Sequence, residues 1–185
     1  MNYKELSAAI VEEIRTCLEK TDEEQLEKAV ELVSKAPRVF TAGAGRTGLE
    51  VSAFTMRLMH IGHTAYRVGE VVTPAIGEGD LLVLCSGSGE TKTMLEYAKT
   101  ANAKGAKILL FTTKEVSSIA SLADQIVLLH AKAAKNTDGN VASIQPMSNL
   151  FVQSLCLTMD TIIIGVMKKE NIDESKMKHL HANLE

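Results

Sequence analysis

The sequence predicts a three-layer α/β fold: a doubly wound, flavodoxin-like sheet of five parallel strands, with extra helices at both ends of the chain. Three observations carry this. Short apolar runs alternate with amphipathic stretches from Val39 to Leu129, the pattern of a parallel sheet covered on both faces. Two of those runs open into turns rich in glycine and hydroxyl residues, each followed at once by a helical stretch. Helical periodicity also fills residues 3–35 and 149–180, outside the alternating region.

In chain order, Leu6, Ala9, Ile10, Ile14, Cys17 and Leu18 put apolar residues at helical spacing over Tyr3 to Glu19. Thr21-Asp22-Glu23-Glu24 is a capping sequence that opens a second helix, ending before Pro37. Strands follow at Val39–Ala42, Ala65–Val68, Leu81–Cys85, Lys107–Thr112 and Gln125–Leu129. Helices are expected at about Leu49–Ile61, Thr91–Lys104 and Ser117–Leu122, and a segment holding Pro74 joins the second and third strands. Asn136 to Asn140 reads as a turn-rich loop. Gln145-Pro146-Met147-Ser148 introduces a long helix from about Asn149 to Lys169, apolar on most sides and so buried in the domain or against another subunit. A short helix from Asp173 to Leu180 ends the chain. With no linker or repeat, residues 1–185 are expected to form one domain.

Composition narrows the function. A formal net charge of −3 offers no basic footprint for nucleic acid, and an aromatic share of 4% leaves few platforms for stacking bases. No helix-turn-helix segment is visible. Met1-Asn2-Tyr3-Lys4-Glu5 does not open a signal peptide, and polar residues break the apolar stretches before membrane-spanning length. Three widely spaced cysteines, without a Cys-x-x-Cys pair, argue for a reducing cytoplasm and against structural zinc.

The chemistry gathers at the two turns. Leu81 to Leu84 leads into Ser86-Gly87-Ser88-Gly89-Glu90-Thr91, and Lys92 begins a helix. At such a junction the first helical N–H groups lack partners and sit at the positive end of the dipole; glycines admit an anion and hydroxyls add donors. That is a phosphate seat. Gly43-Ala44-Gly45-Arg46-Thr47-Gly48 repeats the arrangement after the first strand, so both turns would face one crevice. The same six residues satisfy the Gly-x-Gly-x-x-Gly dinucleotide fingerprint, with Glu70 where a ribose-binding acid belongs. Against a dinucleotide stand the lack of room for a catalytic domain, the cation at Arg46, and a second phosphate seat left unexplained. A P-loop fails because no glycine precedes Lys92.

These residues, with Met56-Arg57-Leu58-Met59-His60, Val68-Gly69-Glu70 and Glu78-Gly79-Asp80, resemble the sugar-isomerase (SIS) domain family. Through Ile144-Gln145-Pro146-Met147 and the terminal His181-Ala182-Asn183-Leu184-Glu185 the chain is most similar to the 6-phospho-3-hexuloisomerases, over essentially its whole length. The resemblance implies a homotetramer with active sites at subunit contacts. It further implies an enzyme that interconverts a 3-keto hexulose 6-phosphate and fructose 6-phosphate without metal or organic cofactor. Carried onto this sequence, Ser86, Ser88 and Thr91 with the amides of Gly87 to Lys92 (Gly89 and Glu90 between them) hold the phosphate. Gly45, Arg46 and Thr47 line the sugar side.

Shifting a carbonyl through an enediolate needs a base and an oxyanion donor. Typical members read Leu-Phe-Glu-Gln after Gln-Pro-Met, whereas this chain reads Leu150-Phe151-Val152-Gln153, and valine cannot take a proton. Three accounts follow. The base has moved to Glu90, His181 or Glu185; the chemistry has changed within phosphosugar isomerisation; or the protein binds a sugar phosphate as a sensor without turning it over. Imidazole is the side chain suited to proton transfer at neutral pH, and His181, on a terminal segment, can reach a neighbour's cleft. Glu90 is a weaker base beside a helix N-terminus, where a first-turn capping role competes. Capping is also the simpler role for His60 and His63, a turn for Asp80, packing for Cys85, and core filling for the eight methionines.

Overall fold

A computed structural model describes residues 1–132 and 141–184; the expected loop at 136–140 and the candidate base Glu185 lie outside them. Its helices are α1 (Tyr3–Glu19), α2 (Glu23–Lys35), α3 (Gly45–His60), α4 (Lys92–Ala103), α5 (Asn149–Glu170) and α6 (Glu174–His179). The strands are β1 (Val39–Gly43), β2 (Ala65–Arg67), β3 (Leu81–Cys85), β4 (Lys107–Thr112) and β5 (Gln125–Leu128). All pair in parallel in the order β2-β1-β3-β4-β5, the doubly wound order expected.

Side chains alternate across the strands and divide the core in two. Val39, Leu81, Val83, Cys85, Leu109 and Phe111 face α1, α2, α3 and α5, while Phe40, Ala42, Leu82, Leu84, Ile108 and Leu110 face α4. Helix starts obey local chemistry. Asn2 and Glu5 close a capping box on α1, and the Asp22 side chain accepts from Gln25 N–H (3.0 Å) to start α2. By length and composition α5 could cross a membrane, but here it is a core helix packed on α1, α2 and α3. Leu157 and Ile164 on α5, and Leu49, Met56 and Met59 on α3, remain exposed.

Several local expectations need correction. Ser117–Leu122 is not a helix; only a 3-10 turn forms, at Ala120–Leu122. Its flank bonds elsewhere: Ile119 N–H donates to Gly89 C=O (3.1 Å) and Ser118 N–H to Glu90 Oε1 (2.8 Å). α3 starts four residues before Leu49, because Gly48 lets the helix cross so close to β1 that a Cβ there would lie 2.7 Å from Gly43 O. Asp80 is more than a turn residue: it is buried, pairs with Arg38 through both carboxylate oxygens, and accepts from Gly77 N–H (2.7 Å). Of the methionines, Met94 and Met159 fill core, whereas Met56, Met59 and Met147 are exposed.

Candidate functional site

The strand order reverses between β1 and β3, and Gly43 stands beside Cys85 at their C-terminal ends. Beyond this switch point lies a cavity of about 540 Å³. Ala44 and Thr47 come to it from the first turn, and Cys85, Ser86, Gly87, Ser88, Glu90 and Thr91 from the second. Lys114, Ser148 and Phe151 complete the wall.

The second turn is firmly anchored. Ser86 N–H extends the ladder to Phe111 C=O (3.0 Å), and Gly87 C=O accepts from Thr113 N–H (3.2 Å) and Thr113 Oγ1 (2.7 Å). Gly89 has φ +64°, and a Cβ there would sit 2.1 Å from Ser117 Oγ, so only glycine fits. Ser86 Oγ lies 3.0 Å from Thr91 Oγ1. Thr91 makes no side-chain cap, and the first bond of α4 runs from Leu95 N–H to Thr91 C=O (2.9 Å). The amides before Leu95 therefore sit at the open end of the helix, where an anion is favoured.

Not every expected residue stands in this wall. Gly45, Arg46, Gly89 and Lys92 are not among the lining residues. Arg46 turns to α5 instead, donating to Asn149 Oδ1 (2.6 Å), and Gly45 serves the turn with φ +57°. Glu90 lines the cavity, but its carboxylate caps the Ser118 amide rather than α4, and the hydrogen bonds from Ser118 hold its pKa below the ordinary carboxylate range. Burial drives the Cys85 thiol far above its usual pKa, with nearby Arg67 opposing slightly, so it packs as an inert side chain.

Within one chain, His181 is not brought to the cavity. It stacks on His60 (ring centroids 5.2 Å apart) at the far end of α3, a helix whose length separates that corner from the Gly45 turn by about 22 Å. His60 is buried packing rather than a cap, and burial, then repulsion from His181 and Arg57, lowers its pKa. His63 pairs with Glu170 (3.1 Å). Val152 is 2% exposed, one turn along α5 from Ser148 and next to Phe151, behind the lining residues.

Five participants escaped sequence reasoning. Lys114 follows β4 through Thr112-Thr113, a third strand end opening into polar residues, which was a usable signal. Arg67 caps the end of β1 by donating to Gly43 C=O (3.0 Å), and it also donates to the neighbouring Val68 C=O (2.8 Å). Ser148 and Phe151 follow the Gln-Pro-Met element, whose own role is seen only in space. Glu13 on α1 accepts from Ser143 Oγ (2.7 Å), Ile144 N–H (2.7 Å) and Gln145 Nε2 (3.0 Å). Burial raises the Glu13 pKa, but these three hydrogen bonds outweigh it and leave the carboxyl below its ordinary value. Among the described residues no group of three His, Cys, Asp or Glu side chains is placed to hold a metal ion.

Comparison with known proteins gives consistent results. The SIS domain family model matches residues 32–159. The 3-hexulose-6-phosphate isomerase of Bacillus subtilis is 37% identical over 185 residues, covering 100% of each chain. That of Methylomonas aminofaciens is 37% identical, covering 99% of this chain and 98% of its own. A crystal structure from Methanococcus jannaschii, for which a 3-hexulose-6-phosphate isomerase function was inferred, superposes with a TM-score of 0.85 at 32% identity, covering 98% of this chain and 99% of that one.

Proposed function

The chain belongs to the SIS domain family, and on that premise we propose that it is a phosphosugar isomerase interconverting 3-hexulose 6-phosphate and fructose 6-phosphate. The observation that carries this reading is the cavity at the β1/β3 switch point, with hydroxyls and free-ended helical amides on one side and Lys114, Ser148 and Phe151 on the other. Ser86, Ser88, Thr91 and the amides at the start of α4 bind the phosphate. The sugar then extends past Thr47 toward Ser148 and Phe151. Lys114 brings a cation to the wall and suits an enediolate oxyanion.

The proton must move between C2 and C3 of the sugar. Val152 occupies the position where the family resemblance implies a glutamate, so another group serves. Glu90 is in the cavity but is held as a weak base by Ser118. His181, remote within its own chain, reaches the cavity only from a neighbouring copy. We therefore assign the base to His181 across a subunit contact in a cytoplasmic homotetramer, each chain being one phosphosugar-binding domain over residues 1–185. The exposed apolar side chains of α3 and α5 support such association.

The test is proton NMR of the purified protein with fructose 6-phosphate in deuterated water. Deuterium entering C3, and lost in a His181→Ala variant, is the expected result. Entry at C1 instead would assign an aldose–ketose isomerisation. Ligand-induced thermal stabilisation with no deuterium uptake would replace the enzyme by a sugar-phosphate sensor.

A further inference from the structure

The loop leading into α5 is held from α1. Glu13 receives three hydrogen bonds from Ser143, Ile144 and Gln145, and Gln145 N–H donates in turn to Ser143 Oγ (3.0 Å). Gln145 is a buried polar residue, and Glu13 is the acceptor that satisfies its side-chain amide. Two residues on, Met147 has φ +56°, a left-handed conformation that a non-glycine residue keeps only where its surroundings over-determine it. The next residue, Ser148, enters the cavity wall, and Phe151 follows on the same helical face.

We propose that Glu13 is a positioning residue: through Ile144 and Gln145 it holds the Met147 turn and so sets where Ser148 and Phe151 stand against the bound sugar. The proposal rests on reading this cavity as the phosphosugar site. The phosphate seat is anchored separately, by Phe111, Thr113 and the loop before the 3-10 turn. Loss of Glu13 should therefore shift the sugar wall and leave the phosphate seat in place.

Two variants test this. Glu13→Ala removes the acceptor. Glu13→Gln keeps an oxygen for Ile144 N–H and, with the Gln145 amide flipped, donates its own amide to Gln145. Binding is measured by calorimetry well below each unfolding midpoint. The alanine variant should bind fructose 6-phosphate about tenfold more weakly while its affinity for inorganic phosphate stays within about twofold, and the glutamine variant should recover most of the loss. Amide hydrogen exchange at residues 148–152 should quicken by about tenfold in the alanine variant alone. Unchanged fructose 6-phosphate affinity overturns the proposal, and so does an equal loss for both ligands, which is general loosening. If the wild type binds no fructose 6-phosphate, the reading of the cavity fails instead. The exchange rates then decide by themselves: unchanged rates overturn the lock and faster rates uphold it.

Discussion

Val152→Glu places a carboxyl at a position 2% exposed, within the core cluster on the α5 side of the sheet and one turn from Ser148. Ionising it there sacrifices hydration without a built partner, so its folded pKa should rise by about 2–3 units, short of the largest shifts because the cavity admits water nearby. At about 1.4 kcal/mol per unit, the variant should lose about 3–4 kcal/mol of stability at pH 8. The sign is definite. A raised folded pKa leaves stability intact below the unfolded value of about 4.3, removes it as pH climbs, and completes the loss above the folded pKa. Urea unfolding of wild type and variant between about pH 4 and pH 8 reads this directly. A stability difference that does not change with pH would show the cost to be steric and refute the burial argument. A carboxyl titrating near neutrality also adds a base from α5 to the His181 of the neighbouring copy, so deuterium entry at C3 should rise by about tenfold over wild type. Exchange that stays at the wild-type rate while the introduced carboxyl ionises would show that the α5 wall does not face the reacting carbons.

Three further outcomes are expected. Ser88→Ala should weaken fructose 6-phosphate by about 1–2 kcal/mol through one lost hydrogen bond to a charged acceptor; calorimetry showing unchanged affinity would put the phosphate elsewhere. Gly89→Ala meets both a left-handed backbone and a Cβ 2.1 Å from Ser117 Oγ, whereas Gly105→Ala has φ +74° with its nearest neighbour at 3.5 Å. The first should cost about 2–3 kcal/mol in urea unfolding and the second about 1, and equal costs would refute the packing argument at Gly89. The Ile144 amide proton, bound to Glu13, should titrate in NMR spectra with a midpoint below the ordinary carboxylate range, since the hydrogen bonds to Glu13 hold its pKa down. Stability from this contact is present above the unfolded pKa and lost as pH falls through the lower folded one, so a midpoint at or above the ordinary value would show the clamp to be loose.

Much of this fold was legible in the residues because periodicity reports local surroundings. Val39 to Gly43 and Leu81 to Cys85 are buried on both faces, and an apolar run is the direct trace of that burial. The turn after β3 was equally legible, since Gly89 adopts positive φ and the hydroxyls around it have no apolar use. Where the local signal misled, a distant partner had intervened. Residues 118 and 119 gave their amides to Gly89 and Glu90 in the turn after β3 instead of to a helix, and Arg46, which reads as a cavity residue, found Asn149, 103 positions away. His181 packed on His60 rather than near Ser88, and Lys114, Ser148 and Phe151 joined one wall from two segments that no spacing links. The amino-acid order by itself determined the strands, the core helices and the glycine- and hydroxyl-rich turn after β3, because each depends on neighbours within a few residues. The tertiary structure alone decided which side chains line the cavity and that Glu13 accepts from the loop before α5, because those contacts join residues that only packing brings together.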